Sequence, residues 1–261
     1  MHLNAATLAA LLLPLASAKP ACHPACSPKP PAFILAGDST TAVQAAGGGG
    51  WGNGFLSFVR APPAWGVNKG HNGATTVSFV KGGDWANVTR LIDEKNAEGY
   101  QVWVTVQFGH NDQVETRQKH LPPPIHHQPH QPSPLRPRAR RPPPPPHPLT
   151  RRGFPTDSPH NLTDNLFNER QHTIAAAKQS KTPYLDLNAA SKKYVNRIGS
   201  DAAHAYDLKK GDSTHLNDWG SVVFGRMVAD LLLESESGKC LGPWIQPNAT
   251  LSKAIREGVP A

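Results

Sequence analysis

The chain has 261 residues, enough for one α/β domain with a sizeable core and marginal for two. Its formal net charge of +8 looks like a polyanion signal until it is located: residues 113–147 hold six basic residues and one acid, a net of +5, leaving +3 for everything else. The excess belongs to one atypical segment, which argues against a nucleic-acid-binding surface.

Residues 5–15 form an apolar run that ends at Ala16-Ser17-Ala18, a small-x-small cleavage pattern. Residues 1–18 therefore read as an export signal, too short to span a bilayer. The expectation is a secreted, extracellular protein not held in a membrane, with residues 19–31 as an N-terminal extension. Residues 32–36, Ala-Phe-Ile-Leu-Ala, predict a short strand ending at Gly37-Asp38-Ser39-Thr40. A glycine-rich loop at 47–50 leads through Trp51-Gly52-Asn53-Gly54 into a helical stretch at 55–59. No Gly-Lys-Ser/Thr follows those glycines, so they read as loop rather than as a phosphate cradle. Residues 65–68 predict a second strand, followed by the loop Asn72-Gly73-Ala74-Thr75-Thr76, and residues 84–98 predict a helix. Residues 101–108 are the clearest strand: Val102, Val104 and Val106 alternate with Trp103 and Thr105, which fits burial on both faces. It ends at Gly109-His110-Asn111-Asp112.

Residues 113–147 break this pattern, being crowded with Pro, His, Gln and Arg and carrying five consecutive prolines at 142–146. They predict a disordered or polyproline-like segment. GC-rich coding DNA read out of frame yields such runs, so a gene-model error is one origin for it. His120, His126, His127, His130 and His147 read there as incidental rather than as metal ligands. Regular structure resumes at Pro148-Leu149-Thr150-Arg151-Arg152, followed by a helix over 163–178, a short strand over 184–187 and a helix over 190–198. Asp212-Ser213-Thr214-His215 opens the last helix, over 218–233. Residues 148–261 thus complete the domain begun over 32–112. Strands alternating with helices imply a parallel sheet with helices on both faces.

Cys22, Cys26 and Cys240 allow one disulfide and leave one thiol over, with the pairing open. Sequons at Asn87, Asn161 and Asn248 fit glycosylated surface loops of an exported protein.

In open parallel sheets functional groups gather beyond the carboxyl ends of the strands. Ser39, Asn111 and the pair Asp212/His215 all belong to such loops. A serine hydroxyl is a weak nucleophile until a base takes its proton, and a carboxylate fixes the tautomer of that base. Asp212 and His215 are three apart, so the acid can brace the imidazole from the same loop. A developing oxyanion needs fixed donors. Candidates are the backbone N–H groups of Ser39 and Gly73 and the side-chain amide of Asn111. Taken singly, each residue has a plainer role: Ser39 as a helix cap, Gly73 and Asn111 as turn formers, His110 as loop support. Trp51, Trp65 and Trp85 read as packing, with Trp85 the candidate sugar platform.

The ordered set resembles the four blocks of the SGNH (GDSL-type) hydrolases: Gly37-Asp38-Ser39, Gly73, Asn111 in Gly-His-Asn-Asp, and Asp212-x-x-His215. Gly50-Trp51-Gly52, Asn72-Gly73-Ala74-Thr75-Thr76, Pro148-Leu149-Thr150-Arg151-Arg152 and Tyr184-Leu185-Asp186-Leu187-Asn188 are similar to fungal rhamnogalacturonan acetylesterases, over residues 32–112 and 148–235. The resemblance implies a three-layer α/β/α domain with a flavodoxin-like parallel sheet, its fourth strand missing or corrupted here. It further implies Ser39 as nucleophile, His215 as base, Asp212 as its orienter, and Ser39, Gly73 and Asn111 as the oxyanion hole. The implied substrate is an acetylated plant cell-wall polysaccharide, handled by a monomer without metal or cofactor.

Overall fold

The computed structural model describes residues 29–119 and 147–261. The export signal, Cys22 and Cys26, the histidines from His120 to His130 and the prolines at 142–146 lie outside the described residues.

The first described strand, β1 (Pro31–Gly37), is buried at every position. It pairs in parallel with β2 (Trp65–Asn68) on one side and with β3 (Gln101–Gln107) on the other, so the order is β2-β1-β3. A strand flanked on both edges and covered on both faces has no solvated side, and Ala-Phe-Ile-Leu-Ala meets that demand. Phe33, Leu35 and Trp103 point into one core, shared with α1 (Gly52–Leu56), α6 (Leu187–His204) and α7 (Asp218–Glu234). Ile34 and Ala36 point into the other, closed by Phe79 of α2 (Thr76–Lys81) and Val88 of α3 (Asp84–Ala97). The result is the three-layer arrangement expected from the alternation of elements. The strand order is the opening of a flavodoxin-like sheet, and among the described residues it stops at three strands.

The remaining elements are α4 (His110–Lys119), α5 (Phe167–Gln179), a 3₁₀ turn at Lys239–Trp244 and α8 (Ala249–Glu257). Helix α4 carries ordered backbone past the expected boundary at 113. Residues 113–119 contain Gln, Glu, Arg and Lys, good helix formers, and no proline. His147 is not incidental: it is fully buried, its Nδ1 lies 2.7 Å from an Asp186 carboxylate oxygen, and its ring stacks on Tyr184.

The strand expected over 184–187 is replaced by a helix start. Asp186 caps α6 by accepting from the Ala189 N–H at 3.1 Å. Leu185 alone keeps a sheet-like bond, its carbonyl accepting from the His147 N–H at 2.9 Å. Helix α5 begins at Phe167 rather than 163, because the chain before it is held as loop by the Thr163 N–H on the Gly153 carbonyl. The valine face of β3 is only half-buried, whereas Trp103, Thr105 and Gln107 on the other face are buried.

Helices α1 and α7 approach almost backbone to backbone. A Cβ on Gly54 would lie 1.9 Å from the Ser221 carbonyl oxygen, and one on Gly225 would lie 2.3 Å from the Gly54 carbonyl carbon. Ser221 fastens the junction, its Oγ donating to the Gly50 carbonyl at 2.7 Å and accepting from the Gly54 N–H at 3.1 Å. This contact brings the helix that follows His215 against the one that follows the Ser39 loop.

Candidate active site

Three loops meet at the carboxyl end of β1. The Asp38 N–H donates to the Gln107 carbonyl at 3.2 Å, and the His71 N–H donates to the Gly37 carbonyl at 2.9 Å. Gly37 is required by closeness: a Cβ there would stand 2.6 Å from the Gln107 carbonyl. The fourth loop arrives from α7, the Leu216 N–H donating to the Gly49 carbonyl at 2.9 Å.

These anchors bring Ser39, His215 and Asp212 into one hydrogen-bonded chain. Ser39 Oγ lies 2.8 Å from His215 Nε2, and His215 Nδ1 lies 3.0 Å from Asp212 Oδ2. Because the carboxylate only accepts, Nδ1 carries the proton and Nε2 is left to accept from the serine hydroxyl. Burial pushes the Asp212 carboxyl up. The backbone N–H groups of His215 and Thr214, together with the imidazole, outweigh it and hold the group below the ordinary carboxylate range. Asp212 is therefore ionised at neutral pH. Ser39 is buried to 5% exposure.

Beneath Ser39 runs a polar network that sequence reasoning missed. Asp38 Oδ1 accepts from the Thr40 N–H at 2.9 Å and from Thr40 Oγ1 at 2.7 Å. Thr40 Oγ1 in turn accepts from Gln107 Nε2 at 2.7 Å, and Gln107 Oε1 accepts from Trp51 Nε1 at 2.6 Å. Asp38 is fully buried, which raises its pKa. His110, 3.6 Å away, and the Thr40 bonds reverse the sign and hold it low. The available signal was a glutamine on the same face of the strand as Trp103, where burial is expected. Trp51 is thus a buried anchor, and Trp85 packs against the second core rather than offering a free platform.

Gly73 and Asn111 come together on one cleft, which Thr75, Val77, Ser78 and Val114 also line. Gly73 has φ 78°, a conformation that favours glycine. Asn111 Nδ2 donates to the Ala74 carbonyl at 3.0 Å, and Asp112 Oδ1 accepts from the Thr76 N–H at 2.9 Å, so the two loops are stitched. Burial pushes the Asp112 carboxyl up against those Thr76 bonds. Among the described residues the N–H groups of Ser39 and Gly73 donate to no protein acceptor. Through the Asp38–His110 contact, the residues preceding Ser39 and Asn111 are neighbours.

Of the sequons, Asn161 is exposed in a loop, Asn87 is exposed on α3 rather than in a loop, and Asn248 caps α8 by accepting from the Leu251 N–H. Cys240 is disulfide-bonded, to a partner outside the described residues. Among the described residues no group of three His, Cys, Asp or Glu side chains could hold a metal ion. Nor is any helix among them long and apolar enough to cross a membrane.

Neither a protein-family model nor a curated protein matches the chain in sequence. Among solved structures it is similar to the protein YxiM of Bacillus subtilis, with a TM-score of 0.56 and 18% identity, over 78% of this chain and 56% of that one. The chain thus spans little more than half the length of that structure. An acetylxylan esterase of Geobacillus stearothermophilus is also similar, at a TM-score of 0.46 and 16% identity, over 85% of this chain and 99% of that one. So is a lipase/acylhydrolase of Enterococcus faecalis, at 0.42 and 15%, over 84% and 99%. The likeness to YxiM, together with the parallel sheet and its two helical layers, gives the fold class as α/β.

Proposed function

We propose that the chain is a secreted serine esterase of the SGNH type that removes acetyl groups from a pectic polysaccharide, rhamnogalacturonan. The observation that carries this reading is the unbroken chain Ser39 Oγ, His215, Asp212 at the carboxyl edge of a parallel sheet. His215 Nε2 takes the hydroxyl proton as Ser39 Oγ bonds to the ester carbonyl carbon, and the carbonyl π electrons move onto oxygen. The Ser39 and Gly73 N–H groups and the second Asn111 amide hydrogen are the donors for that oxyanion. Collapse expels the sugar oxygen, which takes the proton from His215 and leaves an acetyl-serine. A water, deprotonated in turn by His215, bonds to the acetyl carbon; the Ser39 Oγ–acyl bond breaks, Ser39 Oγ takes the proton back from His215, and acetate leaves. Acetyl and rhamnogalacturonan as acyl group and glycan rest on the resemblance of the sequence blocks.

A fluorophosphonate should label the protein at Ser39, and acetate should be released from acetylated rhamnogalacturonan faster than from acetylated xylan or longer-chain esters. Failure to label would remove the esterase reading. Labelling with preferred release from xylan or lipid esters would keep the mechanism and move the substrate. Ser39→Ala and His215→Ala should each lower turnover by about 10³-fold or more.

A further inference from the structure

Arg152 and Asp207 lie outside the Ser39–His215–Asp212 chain, yet both are buried and both touch the loop that carries it. Arg152 is fully buried in coil between two functional loops. Its Nε donates to Asp207 Oδ1 at 2.7 Å, while Nη2 donates to the His215 carbonyl at 2.6 Å and to the Asp212 carbonyl at 3.4 Å. Its backbone N–H donates to the Ser213 carbonyl at 2.8 Å. One residue therefore holds three of the four residues of the Asp212–His215 turn, and holds them by backbone atoms that no side-chain change at 212 or 215 can alter.

The loop is closed behind this contact. Asp207 and Leu216 form an antiparallel bridge, and the Leu208 N–H donates to the same His215 carbonyl at 3.0 Å. Asp207 is fixed from outside by His204 Nδ1, 2.7 Å from its other oxygen. The preceding arginine faces the opposite way: Arg151 Nη1 donates to Gln113 Oε1 at 2.8 Å, and Nη2 donates to the His110 carbonyl at 3.3 Å. Two consecutive arginines thus reach the Asn111 loop and the His215 loop from a single stretch of chain.

We infer that Arg152, fixed by Asp207, is the positioning residue that sets the imidazole of His215 against Ser39 Oγ. This inference rests on the esterase reading for its kinetic consequence, but its structural consequence is independent of that reading. A guanidinium can donate in plane to a carboxylate and to two carbonyls at once, whereas a lysine ammonium on a flexible stem cannot keep that fork. Misplacing a catalytic group by about 1 Å costs on the order of 10²-fold in rate.

The test uses the full chain with two readouts. In wild type, proton NMR should show a downfield His215 Nδ1–H resonance from the bond to Asp212. Arg152→Lys should lose or shift that resonance, lower kcat and the Ser39 fluorophosphonate labelling rate by about 10²-fold, and leave KM unchanged. Arg152→Ala should regain rate on addition of methylguanidinium at concentrations that leave the wild type unaffected. An Arg152→Lys protein with the wild-type resonance and labelling rate would overturn the inference while leaving the esterase reading in place. A wild type that shows the resonance and loses it in Arg152→Lys, yet never labels, would retain the positioning role and discard the esterase. If both arginine variants lose rate only in proportion to lost folded protein, with no rescue, the role is merely structural and the inference fails.

Discussion

In the proposed mechanism Asn111 shares its amide between structure and chemistry: one hydrogen goes to the Ala74 carbonyl, and the other is the proposed oxyanion donor. Asn111→Ala should lower kcat by about 10²–10³-fold, and an unchanged kcat would take it out of the site. Asp212 decides the shape of the pH profile. Its carboxyl is held below the ordinary range, so it stays ionised as pH falls through 5 and binds a proton only in stronger acid. The carboxylate should therefore keep bracing the imidazole through mild acid, and Asp212→Asn should reduce the rate across the whole pH profile rather than merely displace it. Asp207 faces a different penalty. Its loss leaves the Arg152 charge buried and unpaired, so Asp207→Ala should destabilise by about 3–5 kcal/mol, read as a lower urea midpoint. Ser39, Asp212 and His215 were legible because each sits in a short motif with its own chemistry. Gln107 and Arg152 were not, because their partners lie 67 and 63 residues away and a buried polar contact leaves no periodic trace.

Elements declared themselves where burial is simple. β1 is apolar throughout because both its faces are covered, and the middle of α7 is nearly so because every residue from Val223 to Ala229 is buried. The segment at 184–187 misled because Tyr-Leu-Asp-Leu has the alternation of a strand while Asp186 has the side chain of a cap. The α4 boundary misled because composition was averaged over 113–147, and the first seven residues differ from the rest. No sequence pattern announced the α1–α7 junction, since glycine has many uses and only the partner helix shows which applies. Gly54→Ala would place a methyl within 1.9 Å of the Ser221 carbonyl oxygen, a rigid neighbour. It should destabilise by at least about 1–3 kcal/mol, measured by denaturant midpoint, and should lower activity as the two loops separate.

For the whole molecule, the alternation of strands and helices was enough to give three layers. The narrow sheet was also expected from the sequence, whose family-like blocks lapse over 113–147 where a fourth strand would lie, and among the described residues the sheet has three strands. Sequencing the transcript across 112–148 decides whether those codons are genuine, and an in-frame message encoding the prolines would end the frame-error reading. Cys240 ties the C-terminal region covalently, so Cys240→Ser should cost about 2–4 kcal/mol of stability, read as a lower Tm than the oxidised protein.

Ser39 comes from the described part before residue 119 and His215 from the part after 147, and the glycine-lined junction with its Ser221 bonds joins the two. The junction, rather than peptide linkage between the halves, should therefore keep Ser39 and His215 within reach. Once its disulfide is reduced, a protein severed in that interval should survive as a non-covalent pair, and two separately made fragments should find each other and recover a labelled serine.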